Sequence, residues 1–142
     1  MASRNRIILS VIAGLALVAV AAPRAQAEEL KAFIPFEFRV DTATLPAGSY
    51  NINELTGTST VQLRSMHGGV MVMTNRSTPT RGEWTPQLTF VRYGDKYFLH
   101  EIRVSGEREL TLQPSKAERE MQVASRDGKI PPASKVTVVA SR

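Results

Sequence analysis

The sequence predicts a mainly β fold, an antiparallel meander that forms a rolled sheet or a small barrel, with one short C-terminal helix. Three observations lead to this prediction. Apolar and polar residues alternate over several short stretches, glycine and proline separate those stretches, and one segment carries helix-capping residues. Short connections favour antiparallel pairing of neighbouring strands, and a β-sandwich is the alternative architecture.

The first predicted strand runs from Ala32 to Val40, where every second residue is apolar. This period of two gives a strand with one buried face. Pro35 lacks a backbone N–H, so the strand is expected to lie at a sheet edge or to bulge there. The sequence LPAGSY then supplies a tight turn, after which Tyr50 and Ile52 begin a second alternating strand.

The next hairpin is marked by Gly68 and Gly69, because glycine readily adopts the positive φ that hairpin turns require. Its centre is predicted at His67-Gly68 or at Gly68-Gly69. With the first placement, Leu63 lies opposite Val72. Two sets of residues then lie on opposite faces of the hairpin. One face carries Val61, Leu63, Val70 and Val72, and the other carries Met71 and Met73.

The rest of the chain is divided by clear signals. Residues 75–86 contain prolines and a glycine, together with the only tryptophan, Trp84, and are predicted to form a loop or an irregular crossing. Ser115 and Glu118 have the capping-box spacing, which predicts a helix of two to three turns. Its apolar face consists of three residues: Ala117, Met121 and Ala124. Residues 135–140 are predicted to form the last strand.

The stretch RYGDKYFLHE, residues 92–101, concentrates polar chemistry and reads as a hairpin. Gly94-Asp95 fits a two-residue type II′ turn with Tyr93 opposite Lys96. Both faces then carry apolar pairs, so one is expected to line the core and the other to lie beneath the helix. The predicted register gives these opposed pairs: Arg92 with Tyr97, Val91 with Phe98, Phe90 with Leu99, Thr89 with His100, and Leu88 with Glu101.

No catalytic, cofactor-binding or metal-ligating set is predicted. His100 and Glu101 begin a zinc-protease pattern, but Val104 stands where the second histidine is required. The chain has no serine-hydrolase motif and no cysteine. Aromatic residues on strands suggest, at most, a surface that stacks on sugars. This candidate binding surface comprises five residues: Trp84, Tyr93, Tyr97, His100 and Arg92.

Residues 1–27 have the pattern of a signal peptide. Arg4 and Arg6 precede 16 apolar and small residues, fewer than the ~20 that a membrane span requires. Ala25-Gln26-Ala27 then fits a signal-peptidase site, with an uncleaved anchor as the alternative. We therefore expect export to the periplasm or the medium. Residues 28–142 are expected to form a single β-rich domain, not membrane-spanning after cleavage.

The charge of the expected mature chain is nearly balanced, with 15 Lys and Arg against 13 Asp and Glu. No block of basic residues is present, so nucleic-acid binding lacks its electrostatic footprint. Because the chain has no cysteine, no disulfide supports the fold, and the hydrophobic core must stabilise it alone.

Four sequence blocks resemble a family of small exported proteins from soil bacteria. The blocks are IPFEFRV, LPAGSYNI, LTFVRYGDKYFLHEI and RELTLQPSKAEREM, and they extend from about Ala32 to Met121. The resemblance implies export and a shared β-rich fold. It transfers no catalytic residue and no substrate.

These observations favour an exported, non-catalytic β domain that binds an envelope component such as a polysaccharide, or supports envelope structure. A small-molecule carrier with an internal cavity is the alternative, and a carboxylate-based hydrolase is a lesser one. The hydrolase would need carboxylates to converge that the sequence places at strand edges or turns, where charges are usually solvated. Those considered are Glu37, Asp41, Glu54, Asp95, Glu101 and Glu109.

Overall fold

The computed structural model describes residues 29–55, 57–78, 85–105 and 108–142. The elements of this part of the chain confirm the mainly β fold with one C-terminal helix. In order they are β1 (Glu29–Ile34), β2 (Phe38–Val40), β3 (Ala43–Leu45), β4 (Gly48–Glu54), β5 (Thr60–Ser65), β6 (Gly68–Ser77), β7 (Gln87–Tyr93), β8 (Lys96–Ser105), β9 (Arg108–Leu112), α1 (Lys116–Arg126) and β10 (Ser134–Val139).

The strands form one mixed sheet in the order β1-β4-β5-β6-β9-β8-β2-β3, and β7 joins β8 to β10. All pairs are antiparallel except β2 with β8. The long strand β6 pairs first with β5 and then with β9, so the sheet turns along this strand. Lys31 and Ser141 add a bridge of two backbone hydrogen bonds, of 2.7 and 2.8 Å. Regular pairing leaves the sheet open, which fits a rolled sheet or a sandwich.

Pro35 divides the predicted strand 32–40 into two. β1 ends at Ile34 and pairs with β4, whereas β2 begins at Phe38 and pairs with β3 and β8. The predicted alternation continues across the break, because Ile34, Phe38 and Val40 are all buried. The chain therefore changes partners at the residue that cannot donate a hydrogen bond.

Both predicted centres for the β5–β6 turn are wrong. Ser65 pairs with Gly68 and Leu63 with Val70, so Met66 and His67 form the turn. Gly68 follows it with φ +125°, and a Cβ on Gly69 would lie 2.6 Å from the Leu63 carbonyl oxygen. The two glycines are therefore required at the start of β6, for its backbone conformation and its close approach to β5, and do not form the turn itself. The predicted faces are confirmed, since a shift of two residues preserves alternation.

The β7–β8 hairpin follows the predicted register from Tyr93 opposite Lys96 as far as Phe90 opposite Leu99. Gly94 has φ +62°, as the predicted turn type requires. Beyond that point the predicted pairs are wrong, because His100 is the extra residue of a β-bulge. The bulge gives these pairs instead: Thr89 with Glu101, Leu88 with Ile102, and Gln87 with Arg103.

The predicted helix start is confirmed by its cap. The Ser115 hydroxyl accepts a hydrogen bond of 3.2 Å from the backbone N–H of Glu118. The predicted apolar face is partly buried, but the Glu118 side chain is the most buried part of α1, only 4% exposed. Asp127 ends the helix, and the predicted last strand is confirmed within one residue as β10.

The prediction of a loop over residues 75–86 is wrong for its first three residues. Asn75, Arg76 and Ser77 continue β6, because β9 offers them a second partner along the sheet. Trp84 lies outside the described residues, so its place on the candidate binding surface stays a prediction.

Five aromatic rings form an unbroken series that runs from the middle of the core to its edge. Consecutive ring centroids are 5.2, 5.4, 5.0 and 3.9 Å apart. We call this the aromatic series, and its members in order are Tyr50, Phe38, Phe90, Phe36 and Tyr97. Phe38 and Phe90 are almost completely buried, and aliphatic residues from both ends of the sheet surround them.

Candidate functional site

Arg92 and Tyr97 are brought together, as the predicted hairpin register requires. The Arg92 guanidinium carbon lies 5.4 Å from the centre of the Tyr97 ring, a cation–π geometry. Its Nε also donates a hydrogen bond of 2.6 Å to the Gly94 carbonyl. Phe36 stacks on the same tyrosine ring, with centroids 3.9 Å apart. The Tyr97 ring is thus engaged by its own protein, which leaves little of it for stacking on a sugar.

Tyr93 lies on the opposite face of the sheet from Arg92, because successive strand residues alternate. It is 4% exposed and meets Phe98 edge-on, with centroids 5.8 Å apart. Burial raises the pKa of Tyr93, although its interaction with Gln122 of α1 opposes this. The helix therefore covers this face, as predicted, and Tyr93 contributes to helix packing instead of to an open binding surface.

His100 is half-buried in the β8 bulge, and its Nδ1 atom has no hydrogen-bond partner among the described residues. His67, the other histidine, is exposed at the tip of the β5–β6 hairpin. Of the four residues of this set that the structure describes, Arg92 and Tyr97 lie together on one surface, whereas Tyr93 and His100 do not join them.

Two carboxylates share one guanidinium on the outer face of β8 and β9. Arg103 Nη2 lies 3.5 Å from Glu101 Oε1 and 3.3 Å from Glu109 Oε2. Burial, and secondly the charge of Glu109, raise the pKa of Glu101. Two carboxyl groups that lie close together can act as an acid–base pair. Neither Glu101 nor Glu109 is among the residues that line the two clefts described next.

An open cleft of about 480 Å³ lies between the β3–β4 turn and the tip of the β5–β6 hairpin. Asn51 and Arg64 lie opposite one another in its wall. The Tyr50 hydroxyl fixes the turn by donating a 2.6 Å hydrogen bond to the Pro46 carbonyl. We call it the hairpin cleft, and its lining residues are Ala47, Gly48, Ser49, Tyr50, Asn51, Arg64, Ser65, Met66 and His67.

The Ser65 hydroxyl orders the hairpin tip. It accepts a hydrogen bond from the His67 backbone N–H and donates one to the Gly68 carbonyl, both of 3.2 Å. A second open cleft, of about 420 Å³, adjoins the same tip and shares Arg64, Ser65 and Met66 with the hairpin cleft. Met66 and Met71 border this cleft. Gly68 and Gly69 also line it, and because they have no side chains they do not fill the space between the two methionines. We call this second depression the methionine cleft.

The sequence prediction missed both clefts because they depend on the register of the β5–β6 turn. With the turn at His67-Gly68, Arg64 would lie opposite Met71 instead of Gly69. One signal was present: Met71 and Met73 were correctly predicted to share the outer face. Methionines on an outer face do not pack in the core, and this unusual placement could have drawn attention to the surface of the β5–β6 hairpin.

Replacing Glu118 with glutamine is expected to remove part of the pH dependence of stability. Burial raises the pKa of the Glu118 carboxyl. The folded state then binds its proton more tightly than the unfolded state. The free energy of unfolding therefore falls as the pH rises from the unfolded pKa through the folded pKa. Urea denaturation at several values between about pH 4 and about pH 8 measures this fall.

The matched control is Glu120→Gln, on the exposed side of α1. It retains the helix and the same change in charge, and is expected to keep the wild-type pH dependence. An unchanged pH dependence in Glu118→Gln would show that burial of this carboxyl does not perturb its ionisation.

Comparisons of the chain with protein-family models, with curated proteins and with solved structures gave no match. Within the described residues, the single helix is too short and too polar to span a bilayer.

Proposed function

We propose that this chain is an exported, non-catalytic β domain that binds a polysaccharide of the cell envelope on its surface, in the periplasm or outside the cell. The N-terminal pattern of residues 1–27 supports export, because a basic start, an apolar run and a small-residue cleavage site follow in the required order. The resemblance to small exported proteins agrees with this.

The observation that carries the proposal is the hairpin cleft. It is open, has a volume of about 480 Å³, and is lined by polar side chains that include Ser49, Asn51 and Arg64. These side chains supply hydroxyl, amide and guanidinium groups, which pair with sugar hydroxyls. An open cleft also suits a polymer that continues beyond its binding site in both directions.

The filled interior favours surface binding over the carrier alternative. A carrier needs an internal cavity, whereas Tyr50, Phe38 and Phe90 occupy the middle of this core with ring centroids 5.2 and 5.4 Å apart. Of the carboxylates considered for the hydrolase alternative, Glu101 and Glu109 share Arg103 away from the hairpin cleft, and Glu37 and Asp95 border a separate, smaller depression.

Retention on beads of purified cell-wall polysaccharide tests the proposal. We expect the wild-type chain to be retained and the double variant Asn51→Ala/Arg64→Ala to bind at least about tenfold more weakly, because it loses two hydrogen-bonding side chains. Both residues are exposed, so the variant is expected to fold normally. Circular dichroism and urea denaturation verify that it does.

The control is Arg92→Ala. It removes an exposed arginine from β7, outside the hairpin cleft, and is expected to retain binding. Weaker binding by Arg92→Ala or Trp84→Ala, with the double variant unaffected, would reject the hairpin cleft and favour the surface suggested by the sequence. Absence of retention for the wild-type chain would reject the polysaccharide.

A further inference from the structure

A row of polar side chains crosses three neighbouring strands, β1, β4 and β5, on the outer face of the sheet. The backbone pairing places Lys31 opposite Asn51, and Asn51 opposite Arg64. All three side chains are exposed, because they alternate with buried residues along their strands. Directly opposed residues of antiparallel strands lie on the same face. We call this set the basic row, and its members are Lys31, Asn51 and Arg64.

The two cations of the basic row stand on either side of β4. Their backbones are therefore separated by two strand spacings, about 10 Å. Asn51 lies between them and supplies an amide that both donates and accepts hydrogen bonds. A polymer laid across the strands along this row would meet an ammonium, an amide and a guanidinium group in succession.

Neither cation of the basic row is neutralised by a carboxylate of the described residues. Arg64 donates a hydrogen bond of 3.4 Å to Gln62 Oε1, and no acidic oxygen lies within 4 Å of Arg64 or Lys31. Arg76 differs, because it is ion-paired with Glu54. The positive charge of the row is thus available to an anion from outside the protein.

The basic row connects the hairpin cleft to the methionine cleft. Arg64 lines both clefts, and no aspartate or glutamate is among the lining residues of either one. Gly69 lies opposite Arg64 in the methionine cleft. A Cβ on Gly69 would lie 2.6 Å from the Leu63 carbonyl oxygen, so the position has no room for a side chain. The path beyond Arg64 therefore stays open.

An exposed aromatic ring lies beside the basic row. Phe33 is 64% exposed and lies two residues from Lys31 on the same face of β1. It is opposite Ser49, which lines the hairpin cleft. An aromatic ring provides a flat apolar surface on which the apolar face of a sugar ring can pack. This face thus offers separate partners for sugar rings and for acidic groups.

We propose that the polysaccharide is anionic and that the basic row binds its acidic groups, carboxylates or phosphates, a proposal that rests on the function proposed above. Lys31 and Arg64 donate charge-assisted hydrogen bonds to acidic groups on neighbouring parts of the polymer. Asn51 pairs with the hydroxyl groups between them. Because the row is exposed, binding weakens as the salt concentration rises.

Retention on two matched polymers tests the charge of the ligand. Polygalacturonate carries a carboxylate on each sugar, and its carboxyl-reduced form keeps the same linkage without the charge. We expect the wild-type chain to bind polygalacturonate at least about tenfold more tightly than the reduced polymer at low salt, because both cations contribute. Raising the salt concentration from about 0.05 M to about 0.5 M is expected to remove most of this difference.

Lys31→Gln tests the cation that lies outside the lining of both clefts. It is expected to weaken binding of polygalacturonate about threefold and to leave binding of the reduced polymer unchanged. Lys96→Gln makes the same change in charge at an exposed position of the β7–β8 hairpin and is expected to leave both unchanged. Circular dichroism verifies that both variants fold.

A phosphate-bearing teichoic acid distinguishes the two kinds of acidic group. Tighter retention on teichoic acid than on polygalacturonate would assign the basic row to phosphate, and the reverse order would assign it to carboxylate. Either order supports an anionic ligand if Lys31→Gln weakens that binding and Lys96→Gln does not.

Three results would overturn the anionic ligand while polysaccharide binding itself stands. The first is equally tight binding of the reduced polymer and of both charged polymers. The second is an equal effect of Lys31→Gln and Lys96→Gln. The third is retention on purified cell-wall polysaccharide without retention on either charged polymer. Absence of retention on every polymer would instead reject the proposed function, and the role of the basic row with it.

Discussion

Replacing Phe38 with alanine is expected to lower the free energy of unfolding by about 3–5 kcal/mol. Phe38 is 1% exposed and lies near the middle of the aromatic series. Its ring meets Tyr50 at 5.2 Å and Phe90 at 5.4 Å, both edge-on. Removing the ring interrupts the series and leaves a cavity that the flanking strands cannot easily fill, because each is held in the sheet by backbone pairing.

Phe33→Ala is the matched control, since it deletes the same side chain from the outer face of β1, where Phe33 is 64% exposed. It is expected to change stability by no more than about 0.5 kcal/mol. Urea denaturation should show a lower midpoint for Phe38→Ala with a similar m-value. Similar midpoints for both variants would mean that the aromatic series does not hold the core together.

Replacing Glu54 with glutamine is expected to cost about 1–2 kcal/mol, because a buried carboxylate then loses its charge-assisted bonds. Glu54 is 8% exposed and is ion-paired with Arg76 of β6 and with Arg108 of β9, the latter at 3.1 Å. These contacts join three strands at one end of the core. The arginines are 55% and 37% exposed, so solvent screening keeps the effect at the lower end of the range for charged hydrogen bonds.

Glu29→Gln provides the control, because Glu29 is an exposed carboxylate on β1. Added salt should reduce the stability difference between the wild type and Glu54→Gln, since screening weakens ion pairs. A difference that is absent at low salt, or equal to that of Glu29→Gln, would contradict a structural role for the two ion pairs.

Local pattern predicted the faces of the strands well, because alternation depends only on neighbouring residues. Tyr50, Ile52 and Glu54 illustrate both the value and the limit of this reasoning. All three are buried on one face of β4. Continued alternation from Tyr50 and Ile52 leads to Glu54, but the charge of this carboxylate predicted a solvated position. Only the fold reveals that two arginines from distant strands meet it there.

Register was predictable only where the turn chemistry was unambiguous. Gly94 fixed the β7–β8 turn, so the pairs near it are correct. The bulge at His100 depends on partners of β8 that the hairpin sequence does not contain, since β8 pairs with β7, β9 and β2. The hairpin cleft was missed for a similar reason, because two adjacent glycines allow several turn placements.

The bridge between Lys31 and Ser141 has a consequence for the order of folding. Its two backbone hydrogen bonds connect positions 110 residues apart in the chain. Besides its pairing with β4, β1 forms this bridge to Ser141, which requires nearly the entire described chain to be available. Closing so long a loop is entropically slow relative to forming the local hairpins. The bridge is therefore expected to form late, after the local hairpins are in place.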